Sequence, residues 1–479
     1  MYLLVEDVSV MSSTTADLKR SDNQFIHPWD DIAKLGKNQR TVVDKGEGVY
    51  VYDSDGNRLL DGPAGMWCVN IGHGREEMAQ AIYDQIMQLP YTSPWSLTTS
   101  PAAKFSQVLA AEAPGDLNHV FFTTGGSTAV DSALRFVQFY NNVRGKPEKK
   151  HIIARKKGYH GSTYLAASVS GKERDKNSLD FIEGLVHHIP APHPLLKAEE
   201  QSDREFLDQC VADLENCILE VGADLCAVFV AEPILASGGV IVPPQGYHQR
   251  CLEICRKYDL LYLSDEIVTS FGRLGHCFAS EAVFGIQPDI ITTAKGLTSA
   301  YVPMGAFLVS DRLLDEINQL GGDSAVFSNG FTYSGHPVAA VAGLKNLEIM
   351  KREKLFEHVQ DVGPYMQEQM QNLRDIPIVS DVRGIGLMAC VECELNQGDG
   401  DLELDYQIGD RIDEHCQSLG LIVRPLVNMC VMSPPLTITR EQIDEMIGIL
   451  RNGIELAMRD LVDEIDNEKT GDKRQAWGG

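Results

Sequence analysis

The sequence predicts an α/β fold, with a large domain around a mainly parallel central sheet and a smaller α+β domain drawn from both chain ends. Three observations predict it. From about residue 104 onward helix and strand patterns alternate, with about 30 residues between strands, which is the spacing of right-handed βαβ crossovers. Three successive apolar runs each end in a charged residue, at Glu232, Asp265 and Lys295. After about residue 338 a long helix leads into a smaller unit of mixed strands and helices.

Size and charge narrow the field. A chain of 479 residues holds two or three domains and a large core. A net charge of −26 argues against nucleic acid and anionic membrane as partners, since both need a basic surface. The eleven cysteines are scattered and odd in number, unlike a secreted disulfide framework. Cys251 and Cys255 are neighbours on a predicted helix, but no second ligand pair stands near. His187, His188 and His193 fall in a proline-broken loop without metal-ligand spacing, so no metal is expected. Glu6 and Asp7 stand where a secretory signal would be basic, and no run of about twenty uncharged apolar residues exists. A cytoplasmic protein is the expectation.

In chain order, residues 1–24 are polar after a short apolar start and read as a flexible arm. Residues 25–75 form the N-terminal part of the small domain. Within them Gly48 to Asp61 alternates apolar residues around Asp55-Gly56, a hairpin signature. The large domain covers 76–337. It opens with a helix over 75–88, where Met78, Ile82 and Ile86 recur every four residues. A helix over 102–112, a strand from Asn118 to Thr123, a helix to about 143 and a strand from His151 to Ala154 follow. Further strands run from Leu225 to Ala231, Leu260 to Ser264 and Asp289 to Thr292, separated by helices over 245–258 and 276–284. The C-terminal small domain covers 338–466, with helices over 338–354, 358–373, 406–418 and from 440 to about 465, and strands near 376–395 and at 421–424. The polar tail at 467–479 reads as disordered.

In a parallel sheet Glu232, Asp265 and Lys295 project from the carboxyl edge, where open α/β folds bind ligands. Alone, a lysine there is more often a surface residue opening a turn. A desolvated lysine stem in a cleft would instead make a Schiff-base nucleophile. Gly125, Gly126 and Ser127 link a strand to a helix through a turn whose free N–H groups suit a phosphate, although a serine N-cap without ligand explains the same residues. Tyr159 before His160 and Gly161 offers a stacking face, or is a loop tyrosine. Lysine, carboxylate, phosphate cradle and aromatic face together describe a pyridoxal 5′-phosphate (PLP) site.

The chain resembles the class III aminotransferases, the fold type I PLP-dependent group that contains the ω-amino acid:pyruvate transaminases. The resemblance runs from about Trp29 to Leu461. Its most specific carriers are Met66 to Gly74, Tyr159-His160-Gly161, Glu232-Pro233-Ile234, Ser264 to Arg273, Thr293 to Gly296 and Thr332 to Pro337. The resemblance implies that Lys295 binds the cofactor covalently and then moves the proton, and that Asp265 pairs with its ring nitrogen. It implies that Ile267 and Tyr159 pack on the two ring faces, that Gly126 and Ser127 hold the phosphate, and that Glu232 stands by the 3-hydroxyl side. Thr332 would reach the phosphate of a neighbouring subunit, which implies a homodimer with shared sites, or a tetramer. Trp67 matches the substrate-pocket tryptophan, and Arg424 the arginine that swings onto a substrate carboxylate.

The sequence also departs from the family. The phosphate turn reads Gly125-Gly126-Ser127-Thr128-Ala129 instead of Ser-Gly-Ser-Glu-Ala, so backbone amides carry more of the phosphate. Leu235 and Ala236 replace Gln and Gly, and Leu235 and Ser237 are expected on the pocket side. The expected activity is amino transfer from an amine or ω-amino acid to pyruvate or a similar keto acid by a ping-pong mechanism. An aminomutase, racemase or decarboxylating aminotransferase on the same fold is the alternative.

Overall fold

The computed structural model describes residues 14–37, 40–321, 325–395 and 402–475. Its centre is a seven-stranded sheet. The strands lie in the order His119–Thr123, Gly305–Val309, Ile290–Thr293, Leu261–Asp265, Cys226–Ala231, His151–Arg155 and Val186–Ile189. The five from Ile290–Thr293 onward run parallel; Gly305–Val309 is antiparallel to both its neighbours. Cys226–Ala231, Leu261–Asp265 and Ile290–Thr293 are buried at every position, as strands covered on both faces must be. Helices Gly126–Val143, Asp203–Val221 and Tyr247–Lys257 supply the covering layers.

Two four-stranded sheets flank the central one. In the first, Val43–Glu47, Tyr50–Asp53 and Arg58–Asp61 form a meander, and Leu421–Ile422 joins its edge in parallel. In the second, Val379–Ile385, Met388–Cys393, Met429–Met432 and Arg424–Leu426 pair antiparallel. Long helices Pro337–Arg352, Leu355–Gln371, Leu402–Ser418 and Arg440–Gln475 pack around them. Chain segments from both ends thus share one sheet. Among the described residues no helix is long and apolar enough to cross a membrane.

Several expectations need correction. The strand expected at 421–424 is two strands in two sheets, because the chain changes sheet at Val423. Pro425 has no N–H to donate and accordingly sits on an edge strand. His187 and His188 lie on strand Val186–Ile189 rather than in a loop; the prolines that suggested a loop come after it. The helix expected over 276–284 is a single turn, Ala279–Ala282, ended by Gly285 at φ +64°. Residues 1–13 lie outside the described residues, but the arm contains a helix, Thr15–Asp22, closed by a Thr14–Asp17 capping box. The tail expected to be disordered begins inside helix Arg440–Gln475, because extending an existing helix costs little compared with starting one. Residues 476–479 lie outside the described residues. Strands Gly305–Val309 and Met429–Met432 and helices Asp203–Val221 and Asp311–Gly321 had no counterpart in the sequence reading.

The strand that leads to Lys295 is anchored at its far end. Asp289 is buried, accepts the Tyr262 backbone N–H at 2.7 Å, and pairs with Arg256 at 2.6 Å and with Arg312. These arginines belong to helices on the sheet, Tyr247–Lys257 and Asp311–Gly321. One carboxylate therefore ties two covering helices to two strands. Removing it leaves a buried N–H unpaired and two cations without a counter-charge. Asp289→Ala should lower stability by about 3 kcal/mol, the low end for a broken buried pair because both arginines can turn to water. Urea denaturation of the cofactor-free protein measures this.

Candidate active site

Strand register brings the site together. Ala231 pairs with Ser264, and Asp265 pairs with Thr292, across adjacent parallel strands. Shared chain direction then sends Glu232, Asp265 and Lys295 out at one edge, and all three line a cavity of about 1110 Å³. Gly126, Ser127, Tyr159, His160, Ile267, Trp67, Ser237 and Arg424 line the same cavity. Gly125 lies just outside it as the residue preceding the helix Gly126–Val143. Thr332 does not enter it. That residue is exposed, and its carbonyl accepts the Tyr91 hydroxyl at 2.8 Å. Leu235, expected on the pocket side, packs instead with Ala191 and Ile241 in the core, where its backbone pairs with Ile241 in an isolated bridge.

Lys295 opens a tight turn, Lys295–Leu297, with φ at +48°, a conformation non-glycine residues rarely adopt. Gly296 follows because a Cβ there would lie 2.4 Å from Asn70 Nδ2, which is held by the Phe271 carbonyl at 2.7 Å. Burial pushes the Lys295 amine below the usual lysine range, and the nearby Asp265 carboxylate pulls the other way. The Lys295 ammonium position stands 5.3 Å from the centre of the Trp67 ring, and so does the Arg424 guanidinium carbon.

Asp265 is 3% exposed. His160 Nδ1–H donates to its Oδ2 at 2.7 Å, and the Ile267 backbone N–H donates to its Oδ1 at 3.2 Å. A carboxylate only accepts, so Nδ1 of His160 carries the hydrogen. Glu232 accepts the Tyr159 N–H and the Ala236 N–H, each at 3.0 Å, and burial raises its carboxyl above the usual range. It thereby fixes the backbone that carries Tyr159. Glu266, next in chain to Asp265, is fully buried but faces away from the cavity: its oxygens accept the Ala279 and Ser280 amides at 2.7 and 2.9 Å.

At the start of helix Gly126–Val143 no side chain caps the first amides. That end of the helix dipole suits an anion. Ser127 Oγ accepts the Ser162 amide at 3.0 Å. Gly161, at φ +136°, leaves room for it, since a Cβ there would lie 2.6 Å from Ser127 Oγ. Gly126 packs against Ile267, whose Cδ1 would be 2.9 Å from an added Cβ and would have to swing aside. An uncapped helix end, a buried carboxylate, a lysine of lowered basicity and a partly buried tyrosine around one cavity fit the four parts of PLP. The residues present therefore suit the group.

The sequence reading missed several cavity residues. Ile234 and Val268 lie within the quoted motifs Glu232-Pro233-Ile234 and Ser264 to Arg273 but were given no role there. Trp29, Tyr406 and Asp410 lie outside any motif: they come from the segment between helix Thr15–Asp22 and the first strand and from helix Leu402–Ser418, and nothing in their local pattern marks them.

Residues 32–454 match the family model for class-III aminotransferases. A putrescine–pyruvate aminotransferase of Pseudomonas aeruginosa is 42% identical over 434 residues, covering 90% of this chain and 94% of that protein. A mitochondrial gamma-aminobutyrate transaminase 1 of Oryza sativa subsp. indica is 37% identical, covering 89% and 83%. Among solved structures, an (S)-enantioselective omega-transaminase from Thermomicrobium roseum superposes with a TM-score of 0.88 at 36% identity, covering 94% of this chain and 99% of that one.

The depressed basicity of Lys295 has a stability consequence. The unfolded chain binds this proton more tightly than the native one, so stability rises with pH between the lowered value and the ordinary lysine value. Below that window the native state bears the full burial cost of the charge. Lys295→Met should flatten this part of the pH–stability curve and raise stability at its acid end. Denaturation midpoints of the two cofactor-free proteins against pH test the sign.

Proposed function

We propose an assignment of chemistry to side chains, from the premise that the chain belongs to the class III aminotransferase family. It moves an amino group from an amine or ω-amino acid to pyruvate or a similar keto acid, with PLP as cofactor. When bound, PLP supplies an aldehyde that takes up amines and a ring that accepts the electrons left when a neighbouring carbon loses its proton.

The reading rests on one observation: Glu232, Asp265 and Lys295 leave adjacent parallel strands at one edge of one cavity. Lys295 Nζ would hold the cofactor and would be the base that moves the substrate's proton. Its lowered basicity keeps a neutral fraction ready for that task. Asp265 keeps a proton on the ring nitrogen, and His160 holds Asp265 in place. Gly125, Gly126, Ser127 and the helix amides bind the phosphate. Ile267 and Tyr159 confine the ring. Glu232 positions Tyr159 and closes the 3-hydroxyl side. Arg424 pairs with a substrate carboxylate as a two-pronged donor, and Trp67 and Ser237 shape the pocket.

The active unit is a homodimer in this reading. Thr332 is exposed and does not line its own cavity. The Tyr333 ring meets that of its Tyr91 partner, and Tyr83, Met87 and Trp95 flank Tyr91 in sequence; Tyr83, Met87, Trp95 and Tyr333 are all exposed, Trp95 to 94%. So many exposed large apolar side chains suit a surface covered by another chain. A second copy would cover it and bring Thr332 to the neighbouring phosphate. The cytoplasm suits the eleven free cysteines.

Lys295→Ala should abolish both turnover and the visible absorption band of the lysine-linked cofactor; a retained band refutes the assignment. An amine alone should bleach that band in native enzyme and pyruvate should restore it, whereas an aminomutase or racemase would complete its cycle without pyruvate. Trp95→Glu should yield monomers in sedimentation. Thr332→Ala should keep the dimer but weaken cofactor binding about tenfold, the worth of one hydrogen bond to a charged group.

A further inference from the structure

Among the described residues three atoms of cavity-lining side chains find no hydrogen-bond partner: Asp30 Oδ2, whose carboxylate is held through its other oxygen by Arg40 at 2.8 Å, and the uncharged Trp67 Nε1 and Ser237 Oγ. The side chains of Trp67 and Ser237 are deeply buried, the residues being 3% and 9% exposed. A buried donor left unpaired bears its full desolvation cost, and native sites rarely keep one without a purpose.

Neither atom can drift to find a partner. Ser237 rides on a tight turn closed by reciprocal backbone hydrogen bonds of 3.1 Å between Leu235 and Ile241. Gly239 and Val240 in that turn have φ of +106° and +52°. Arg383, on strand Val379–Ile385, donates Nε–H to the Gly239 carbonyl at 2.6 Å. Its guanidinium is held in turn by Asp381 at 2.8 Å and Glu392 at 2.5 Å. Arg383 is thus a positioning residue for the wall that carries Ser237. Trp67 has φ at +62°, and its ring centre lies 5.3 Å from Lys295 Nζ and 5.3 Å from the Arg424 guanidinium carbon.

The chemistry of the two atoms selects a ligand. An indole N–H only donates, while a hydroxyl donates or accepts. An ammonium tail would satisfy Ser237 but leave Trp67 unpaired. An oxygen with lone pairs satisfies both. Glu232 and Asp265 are engaged by other donors, and no described protein group pairs with Trp67 Nε1 or Ser237 Oγ, which leaves an oxygen arriving with a substrate to pair with them.

We propose that Ser237 determines donor specificity: with Trp67 it hydrogen-bonds an oxygen on the distal tail of the amino donor, a carboxylate or a hydroxyl. Oxygen-tailed amines are then preferred over alkyl amines of equal length, because the latter leave both wall atoms unpaired. This inference rests on the aminotransferase reading above.

The test compares 4-amino-1-butanol with pentylamine, using pyruvate as acceptor and the cofactor-loaded enzyme. A hydroxyl tail probes the hydrogen bonds without engaging the charge of Arg424. The ratio of kcat/KM between the two donors should fall about tenfold in Ser237→Ala, mostly through KM. Ser237→Thr, which keeps the hydroxyl, should return the ratio towards the native value. A native ratio in Ser237→Ala, or a Ser237→Thr enzyme that behaves like Ser237→Ala, overturns the proposal. Absence of turnover with every donor in the native enzyme overturns the aminotransferase reading and this inference with it.

Discussion

Asp265 stands opposite Thr292 across two parallel strands, and every charge in the site is placed relative to that pairing. A slip of one residue would turn each side chain to the other face of the sheet. The lysine would then leave the sheet on the wrong side of the carboxylate. Two features guard the register. Both strands are buried along their whole length, so no solvated face permits an alternative. Asp289 also binds the Tyr262 amide and two arginines at the opposite edge, where no ligand chemistry competes.

Around this frame the backbone is strained in several places. Trp67, Phe271 and Lys295 all have φ between +48° and +62°. Such conformations cost of order 1–3 kcal/mol each and persist only where surrounding structure determines them. Phe271 and Trp67 are buried in apolar clusters, which supplies that determination. Buried polar groups do similar work. Arg273 is wholly buried and donates to the carbonyls of Leu387 and Pro434 and to Asn70, tying the Asp265 loop to both flanking regions. Asn70 in turn holds the Phe271 carbonyl and stands against Gly296. Motifs far apart in the chain are therefore one packed unit around the lysine.

The large and small units contribute unequally. The large sheet supplies Glu232, Asp265 and Lys295 at strand ends, where backbone pairing alone sets their place. The small sheets supply Arg424 on an edge strand and, on strand Val379–Ile385, Arg383, which holds the turn that bears Ser237. In the proposed assignment, groups concerned with bond making thus sit on the central sheet, and groups concerned with substrate choice are carried or held by the small sheets.

Much of this was legible in the chain itself. Apolar runs ending in a charge marked the strand ends, and the Gly125–Ser127 turn marked the uncapped helix, because these depend on local patterns of burial and backbone freedom. The same local logic failed where contacts decide. Strand Val186–Ile189 reads as a loop because it is short and its partner lies 34 residues earlier, at Ile152. Leu235 and Ser237 are two residues apart, yet one packs in the core and the other lines the cavity. Trp29, Tyr406 and Asp410 reach the cavity only through packing of distant elements. The sequence alone determined the fold class and singled out the lysine and its carboxylate as strand-end charges, since both follow from periodicity and residue type. Only the tertiary structure decided which polar atoms remain unpaired in the cavity and which surface is left uncovered. Those properties belong to the surroundings of a side chain, and the surroundings are assembled from the whole chain.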